Sequence, residues 1–341
     1  MHSPTPVAPL PGQVPRFIET HSLDARTLAA EAARGLLASR ATVAPKFFYD
    51  ALGCRLFEAI TEVDEYYLTR TEASIFARHG PAMAAALRDA VGDGPTMVDL
   101  GAGNGAKAAA LFGLIAPRRY LAVDIAVDHL RATLPALARA HPAIAFTAVG
   151  QDFATALALP GELRGDAPAL VFYPGSSIGN FAPDDALRLL REARAVAEGG
   201  ALLIGVDLVK DQGVLERAYD DPLGVTAAFN RNLLRHLNRL LGADFDLRQW
   251  RHVAFYDPVA ARIEMHLQAS EALGVHWPGA RRDFAAGERI HTENSHKWTI
   301  AGFEALLAQA GFGATRHWCD EAGWFAVFLA LHPDAGARRP G

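Results

Sequence analysis

Three closely spaced glycines after a short apolar run constrain this chain more than any other stretch of its sequence. Residues 97–107 read Met-Val-Asp-Leu-Gly-Ala-Gly-Asn-Gly-Ala-Lys, and an Ala/Leu-rich segment follows them. This order predicts a strand, a tight turn and a helix, because glycine has no Cβ and allows both the turn and a ligand close to the backbone. The N-terminus of the helix adds free N–H groups and a partial positive charge. We therefore expect a ligand at this turn.

Two classes of ligand use such a turn. Gly101, Gly103 and Ala106 fit the dinucleotide fingerprint G-x-G-x-x-G/A, which also recurs in other nucleotide folds. Asp99 favours a ligand with a cationic end, such as S-adenosylmethionine, because a dehydrogenase strand is usually apolar up to its first glycine. An ordinary βα turn that binds nothing remains the alternative.

The composition is that of a folded protein with a sizeable core. Of 341 residues, 50% are hydrophobic and 21% are charged, which excludes global disorder. The formal net charge is −5, so no basic field favours nucleic acid or an anionic membrane. We expect a small-molecule substrate, and neither nucleic acid nor a membrane as a partner.

Several kinds of motif are missing from the sequence. The two cysteines, Cys54 and Cys319, and the thirteen scattered histidines show no disulfide or zinc-ligand spacing, so we expect no metal site. The proline-rich start does not fit a signal peptide, and no apolar run reaches the roughly 20 residues that a membrane-spanning helix needs. We expect a cytoplasmic protein whose residues 1–17 form a disordered tail.

Strands and helices alternate through the middle of the chain. Strands are predicted at 97–100, 119–124, 144–149, 170–173 and 201–206, with helices between them. This alternation predicts a doubly wound parallel sheet of the α/β class. A helix at 303–310 and two strands at 314–319 and 324–331 then resemble the closing hairpin of S-adenosylmethionine-dependent methyltransferases, whereas a dehydrogenase would continue the alternation.

The pattern changes between the fifth strand and the closing hairpin. Residues 262–267 alternate polar and apolar side chains, as a half-buried strand does. Further extended segments are predicted at 250–256 and 283–290, and helices at 226–241 and, before the glycine turn, at 23–39 and 71–90. The region after residue 207 is therefore predicted to be a helix pair with a small antiparallel sheet, inserted into the doubly wound domain.

Candidate ligand-binding residues follow the predicted strands. Asp124 lies about 20 residues past the glycines, where a carboxylate can accept both ribose hydroxyls, although it could instead cap the next helix. Asp152 and Phe153, after the third strand, suit the amino group and the flat face of an adenine. Asn180 lies in the loop after the fourth strand, where α/β sites are found, and offers both a donor and an acceptor. Its alternative role is to satisfy the loop backbone.

Tyr49, Tyr66 and Tyr67 lie in a stretch dense in aromatic residues. Their hydroxyls need partners if they are buried. The sequence leaves two roles open for them: packing at a domain interface, or forming the wall of a polar small-molecule pocket.

With these segments in place, the chain resembles the histidine-specific Nα-methyltransferases of ergothioneine biosynthesis. The shared patches run in order from about residue 45 to 330, and they are 48–50, 65–72, 99–103, 174–181, 218–221, 262–265 and 292–297. The glycine turn is common to many methyltransferases. The strings Gly-Ser-Ser-Ile-Gly-Asn-Phe at 175–181 and Glu-Asn-Ser-His-Lys at 293–297 are far more specific.

The resemblance implies a Rossmann-like class I methyltransferase sheet with a smaller inserted α+β substrate-binding domain. The methyltransferase domain would comprise 71–208 and 297–335, and the substrate-binding domain 18–70 and 209–296. The residues implied to hold S-adenosylmethionine are Gly101, Lys107, Asp124, Asp152 and Phe153.

The resemblance also implies a binding site for an amino acid. Asn180 and Tyr219 would hold its carboxylate, while Tyr49 and the backbone at Gly175 would face its amino group; Tyr49 and Asn180 are the expected catalytic residues. Glu293 and Ser295 would grip an imidazole ring, with Tyr66 and Met265 close by, and Asn294 is also expected to bind substrate. A carboxylate beside a hydroxyl matches a ring that carries N–H groups.

The implied reaction transfers methyl groups from S-adenosylmethionine to the α-amino nitrogen of L-histidine. Three rounds, through the mono- and dimethyl forms, would give Nα,Nα,Nα-trimethylhistidine (hercynine) without a metal, in a monomeric enzyme. The amine must lose a proton, either because binding favours its neutral form or by transfer to water or a tyrosine.

Three other functions remain open at this point. The same fold could methylate another aromatic amino acid such as tryptophan or tyrosine, although an apolar ring would leave Glu293 and Ser295 unpaired. A NAD-dependent dehydrogenase is a more distant alternative, against which Asp99 and the closing hairpin argue. A binding module without catalysis is the last.

Overall fold

A computed structural model describes residues 14–19, 24–165 and 167–335 of the protein, and it contains thirteen strands within them. They are β1 (Arg16–Glu19), β2 (Thr96–Leu100), β3 (Arg119–Asp124), β4 (Ala145–Gly150), β5 (Ala169–Tyr173), β6 (Ala201–Asp207), β7 (Trp250–Asp257), β8 (Arg262–Ala269), β9 (Leu273–Trp277), β10 (Ala280–Phe284), β11 (Arg289–His296), β12 (Thr315–Cys319) and β13 (Phe325–Leu331).

Eight of these strands form one sheet in the order β1-β4-β3-β2-β5-β6-β13-β12. The strands from β1 to β6 pair in parallel, and β13 and β12 add an antiparallel hairpin at one edge. This order confirms the predicted doubly wound sheet and its closing hairpin. The chain winds away from β2 in one direction and from β5 in the other, so the carboxyl ends of β2 and β5 flank the crevice where α/β sheets bind ligands.

The helices confirm the alternation within a few residues at their ends. They are α1 (Ala25–Leu37), α2 (Ala51–Thr61), α3 (Leu68–Val91), α4 (Ala106–Ile115), α5 (Val127–Ala140), α6 (Gly161–Arg164), α7 (Pro183–Val196), α8 (Gln212–Tyr219), α9 (Val225–Leu241) and α10 (Ile300–Gln309). The described residues also contain three short 3₁₀ turns, Pro45–Phe48, Ser177–Asn180 and Leu247–Gln249.

The predicted disordered tail, residues 1–17, extends too far, because its last two residues belong to a strand. Arg16 and Phe17 belong to β1, which pairs in parallel with β4 at the edge of the large sheet. Phe17 and Ile18 are partly buried and pack against the apolar clusters on the two faces of that sheet. Two apolar residues are too short a pattern to predict a strand. Residues 1–13 lie outside the described residues.

A second, smaller sheet has the antiparallel order β11-β8-β7, and β9 and β10 form a separate hairpin. The predicted segment 283–290 does not form one extended strand. It contains the end of β10 and the start of β11, and between them Glu288 donates its N–H to Ala285 O at 3.0 Å in a turn. Strand β9 was not predicted, and β11 runs on to His296, through the residues that had been placed at the end of the insertion without a strand.

Two apolar clusters cover the two faces of the large sheet. One continues from Met97 and Phe172 of that sheet through Tyr219 and Phe229 to Met265 of the small sheet. Since this core is continuous, the boundaries of the two predicted domains stay a prediction, except that Ile18 and Glu19 belong to the large sheet. In the part of the chain that the structure describes, no helix is long and apolar enough to cross a membrane.

Candidate active site

The glycine turn after β2 has the backbone that the sequence predicts. Gly101, Gly103 and Gly105 have φ of 70°, 54° and 72°, in the left-handed region that favours glycine. Gly103 donates its N–H to Asp124 Oδ2 at 2.9 Å, and Ala126 donates its N–H to Asp124 Oδ1 at 2.8 Å. Asp124 therefore ties the loop after β3 to the glycine turn, and it is not the N-cap of the next helix, since that position is Ala126. Each of its oxygens keeps a lone pair with which it can also accept a ribose hydroxyl.

Phe153 lies beside the glycine turn. Its Cζ would be 3.8 Å from a Cβ at Gly101, so its ring flanks the path of the backbone. Asp152 is held in place, since Lys46 Nζ donates to its Oδ2 at 2.8 Å and Ala154 donates an N–H to its Oδ1 at 3.1 Å. The structure thus brings both residues to the turn, and it adds Lys46, which sequence reasoning missed.

Two buried carboxylates underlie the turn. Asp99 is 2% exposed; Tyr120 donates to its Oδ2 at 2.6 Å, while Oδ1 has no hydrogen-bond partner among the described residues. Burial raises the pKa of Asp99 to about 7, and the Tyr120 hydrogen bond opposes that rise. A buried carboxylate with a free oxygen, next to a ribose acceptor and a flat ring, fits a nucleoside that carries a positive charge.

Glu72 of α3 is the second of these carboxylates, and it joins two predicted site residues. It is 1% exposed, and its oxygens accept Lys107 Nζ at 2.7 Å and the Gly175 N–H at 2.8 Å. Gly205 of β6 lies against Glu72, and a Cβ there would overlap its Oε1. Sequence reasoning had named Lys107 and Gly175 without the acid that links them, although Glu72 ends one of the shared patches.

A β-bulge in β11 determines which side chains of that strand face the site. The register changes from His291 opposite His266 to Glu293 opposite Met265, and Thr292 Oγ1 donates to Met265 O at 3.0 Å. Bulges re-aim the side chains that follow them. Beyond the bulge, side chains alternate between the faces of the sheet, so Glu293 and Ser295 share one face.

Asn294 does not join this group. Its Oδ1 lies 2.9 Å from His291 Nε2, on the opposite face of β11 from Glu293 and Ser295. The prediction that its side chain binds substrate is therefore not supported by the geometry. The alternation of a strand explains why: the family string had been placed at the end of the insertion, without the strand period that separates neighbouring side chains.

Glu293 is a buried carboxyl group of β11 that stands alone among the described residues. It is 8% exposed, and no residue in the described ranges gives its oxygens a hydrogen bond. Burial raises its pKa to about 8, and the positive charge of Lys297 opposes that rise. Because buried polar groups are nearly always hydrogen-bonded, an unpaired carboxylate of this kind indicates a ligand site.

Ser295 belongs to a polar cluster that reaches the large sheet. Its Oγ is 2.7 Å from the Tyr219 hydroxyl at the end of α8. Lys297 Nζ is 2.7 Å from Ser295 Oγ and 3.2 Å from the Tyr219 hydroxyl. The same ammonium pairs with Asp207 Oδ2 at 2.8 Å. Lys297 and Asp207 were not predicted as site residues, because no sequence pattern shows that a lysine and an aspartate 90 positions apart will meet.

The loop after β5 carries Asn180 to the same place. Gly179 packs on β11 so closely that a Cβ there would lie 2.8 Å from His296 O. Asn180 ends the short turn that makes this contact, and no residue in the described part of the chain hydrogen-bonds its side chain. The turn that carries Asn180 therefore packs on the strand that carries Glu293.

Tyr49 and Tyr66 pack against other aromatic rings, and their hydroxyls also bear on the polar-pocket role. Tyr66 contacts Tyr219 edge to face, with ring centroids 6.1 Å apart, and Tyr49 contacts Phe229 at 6.0 Å. Burial raises the pKa of both tyrosines well above the ordinary 10, and the charge of Glu293 adds to the rise. Their hydroxyls stay neutral and lie near Glu293, which favours the polar-pocket role over packing alone.

Comparison with known proteins identifies the family. The profile described as "Histidine-specific methyltransferase, SAM-dependent" matches residues 28–332. The chain belongs to this family. It is an S-adenosylmethionine-dependent methyltransferase, as predicted, and not a dehydrogenase.

Individual relatives agree with the family match. "Histidine N-alpha-methyltransferase" of Mycolicibacterium smegmatis is 42% identical over 316 residues, which cover 89% of this chain and 96% of that protein. The protein of the same name from Mycobacterium tuberculosis is 39% identical over 303 residues, covering 87% and 92%. An "L-tryptophan methyltransferase" of Psilocybe serbica is 24% identical over 333 residues, covering 86% and 89%.

Proposed function

We propose that this methyltransferase acts on the α-amino nitrogen of L-histidine three times, giving Nα,Nα,Nα-trimethylhistidine for ergothioneine biosynthesis. The observation that carries the proposal is the pair of polar side chains on one face of β11. The unpaired Glu293 carboxylate and the Ser295 hydroxyl can together meet the two nitrogens of an imidazole ring. An indole ring would leave at least one of them unpaired, at a cost comparable to a buried polar group without a partner.

The rest of the site supplies the amino-acid backbone contacts. Asn180 would hold the substrate carboxylate. The Tyr219 hydroxyl, 2.7 Å from Ser295 Oγ, would serve the ring-binding pair rather than the carboxylate for which the resemblance named it. Tyr49 and the backbone at Gly175 would face the amino group. The two expected catalytic residues, Tyr49 and Asn180, thus act by orienting the amine toward the cofactor side of the crevice.

Each round forms one bond and breaks one. The bound cofactor supplies an electrophilic sulfonium methyl group. In each round the α-ammonium group would first lose one proton. The neutral nitrogen would then bond to that methyl carbon while the carbon–sulfur bond breaks with its electrons going to sulfur, and the third round would leave a quaternary nitrogen. Such a transfer needs alignment and exclusion of water more than acid–base help. No metal enters this scheme.

The tyrosines do not accept the amine proton in this proposal. A phenol whose pKa lies well above 10 is a poor acid, and its oxygen is a weak base at neutral pH. In the first two rounds Tyr49 would instead accept a hydrogen bond from an N–H of the neutral amine and so leave the lone pair free. We propose that the proton passes to water before the substrate is enclosed.

Mass spectrometry tests the function directly. Incubation of the protein with L-histidine and S-adenosylmethionine is expected to give products that carry one, two and three added methyl groups, with the trimethyl form accumulating. S-adenosylhomocysteine should appear in proportion to the methyl groups transferred. Release of none, in a protein that binds the cofactor, would refute the proposal and indicate a binding module instead.

The tryptophan relative makes a second substrate worth testing. A competition assay with equal amounts of histidine, tryptophan and tyrosine is expected to yield methylated histidine almost alone. Preference for tryptophan would refute the role given to Glu293 and Ser295. Monomeric state and cytoplasmic location stay predictions; size-exclusion chromatography tests the first.

A further inference from the structure

Lys297 is a lysine without exposure to solvent, and all of its donors are in use. Its side chain is 0% exposed, as is that of Asp207, with which it pairs at 2.8 Å. Its Nζ also lies 2.7 Å from Ser295 Oγ and 3.2 Å from the Tyr219 hydroxyl. An ammonium group has three N–H donors and no acceptor. The three contacts therefore account for its three protons.

The position of this ammonium fixes what the two hydroxyls can do. Ser295 Oγ and the Tyr219 hydroxyl are 2.7 Å apart, so one donates to the other. Each hydroxyl has one proton, and each oxygen already accepts from Lys297. The proton of the hydroxyl that accepts in the shared bond has no acceptor among the described residues. It must point away from Lys297, so the pair presents one outward O–H donor.

Glu293 completes the arrangement on the same face of β11. Its carboxyl group has no hydrogen-bond partner among the described residues, and burial raises its pKa to about 8 against the opposing charge of Lys297. A ring N–H that donates to it stabilises its ionised form, which can only accept. The site thus presents one donor and one acceptor side by side. A neutral imidazole is the complement, since it has one N–H and one unprotonated nitrogen.

We propose that Lys297 is a positioning residue that fixes the direction of the hydroxyl hydrogen bonds at Ser295 and Tyr219, so that the site selects a ring with one N–H and one unprotonated nitrogen. The inference rests on the proposed function, and it adds the ring's protonation pattern to the substrate's identity. It also assigns a reason for burying a charged lysine behind a binding site, where a methionine could pack equally well.

Lys210 offers a matched control for Lys297. Both lysines pair with the carboxylate of Asp207, but Lys210 donates to the Tyr67 hydroxyl at 2.7 Å and contacts neither Ser295 nor Tyr219. Tyr67 also donates to Asp207 Oδ2 at 2.8 Å. Asp207 therefore keeps a charged partner when either lysine is replaced, and both variants are expected to fold.

Three amino acid substrates distinguish recognition of the ring N–H from recognition of the ring lone pair. L-histidine offers an N–H and a lone pair, 4-thiazolylalanine offers a ring nitrogen lone pair without an N–H, and 2-pyrrolylalanine offers an N–H without a lone pair. The unmodified enzyme is expected to prefer histidine over each analogue by roughly 10- to 100-fold in kcat/KM, because each analogue leaves one buried polar group unpaired.

Replacing Lys297 should reduce the preference for histidine over 2-pyrrolylalanine and leave the preference over 4-thiazolylalanine unchanged. Without the ammonium, the freed hydroxyl oxygens can accept as well as donate, so Lys297→Met should bring 2-pyrrolylalanine to within about threefold of histidine. The preference over 4-thiazolylalanine depends on Glu293 and should persist. Lys210→Met should keep both preferences. Cofactor binding, measured by calorimetry, checks that each variant is folded, and Lys297→Gln replaces Lys297→Met if that variant does not bind cofactor.

Three results would overturn the inference while the proposed function stands. The first is histidine methylation by an unmodified enzyme that uses 2-pyrrolylalanine equally well. The second is a folded Lys297 variant that keeps both wild-type preferences. The third is a Lys210→Met variant that loses the preference for histidine over 2-pyrrolylalanine. If the unmodified enzyme does not methylate histidine at all, the proposed function itself has failed.

Discussion

Replacing Glu293 with glutamine should make the protein more stable and worse at binding histidine. In the folded protein without substrate, burial raises the pKa of Glu293 to about 8 from its ordinary 4.5. Between these two values the folded state keeps a proton that the unfolded chain releases, so the free energy of unfolding falls as pH rises through this window and then levels off above about 8. At about 1.4 kcal/mol for each pH unit, the ceiling on this loss is about 5 kcal/mol. Glutamine does not titrate, so Glu293→Gln should abolish this fall in the free energy of unfolding with pH.

The same substitution, Glu293→Gln, should weaken the binding of histidine. A hydrogen bond from the ring N–H to a charged carboxylate contributes about 1.5–3 kcal/mol, which corresponds to roughly 10- to 150-fold in affinity. Glutamine still offers an oxygen, but without the charge. Histidine affinity in Glu293→Gln should therefore fall by about 10-fold or more, while the affinity for S-adenosylhomocysteine stays within about twofold.

Urea unfolding at several pH values and isothermal titration with histidine measure both effects. Glu264→Gln is the matched control: Glu264 is paired with His266 at 2.9 Å on the neighbouring strand, on the face that carries Asn294. It should leave histidine affinity unchanged. A Glu293→Gln variant whose stability falls with pH as steeply as that of the wild type, or which binds histidine as tightly, would refute the assignment of Glu293 as the unpaired acceptor.

Three further predictions concern the cofactor turn, the buried Glu72 and the loop after β5. Asp124→Ala should raise the dissociation constant of S-adenosylhomocysteine roughly 10- to 100-fold in calorimetry, because the ribose acceptor and the Gly103 anchor are both lost; unchanged affinity would argue against the ribose role. Gly205→Ala sets a methyl group against Glu72 and should lower the free energy of unfolding by about 1–3 kcal/mol in urea titration. Adding Glu72→Ala should relieve part of that loss, whereas strict additivity would show that the two residues do not press on each other. Asn180→Ala should raise the KM for histidine by about 10-fold without changing the KM for S-adenosylmethionine; parallel changes in both would contradict a contact with the substrate carboxylate.

Much of the doubly wound sheet could be predicted because its local patterns agree with its topology. Apolar runs bounded by turns predict β2 to β6, and parallel strands place the residues at their carboxyl ends along one edge. This is why Gly101, Asp124, Phe153 and Asn180 could be named from their positions after strands. The edge strand β1 escaped prediction, because it is stabilised by pairing with β4 rather than by a pattern of its own.

The buried ionic contacts could not be predicted in the same way. Glu72 meets Lys107, and Asp207 meets Lys297, across large separations in sequence, so only the packed fold brings them together. The lack of geometric support for Asn294 as a substrate-binding residue has a different origin. A shared string names neighbouring residues together, but a strand sends them to opposite faces, and the bulge before Glu293 decides which face is the inner one.

A crystal structure with L-histidine and S-adenosylhomocysteine bound tests the central claim most directly. The account predicts ring nitrogens within hydrogen-bond distance of Glu293 and Ser295, the carboxylate on Asn180, and the α-amino nitrogen directed at the cofactor sulfur. An imidazole ring bound on the opposite face of β11, beside Asn294, or an amino group directed away from the sulfur, would contradict it.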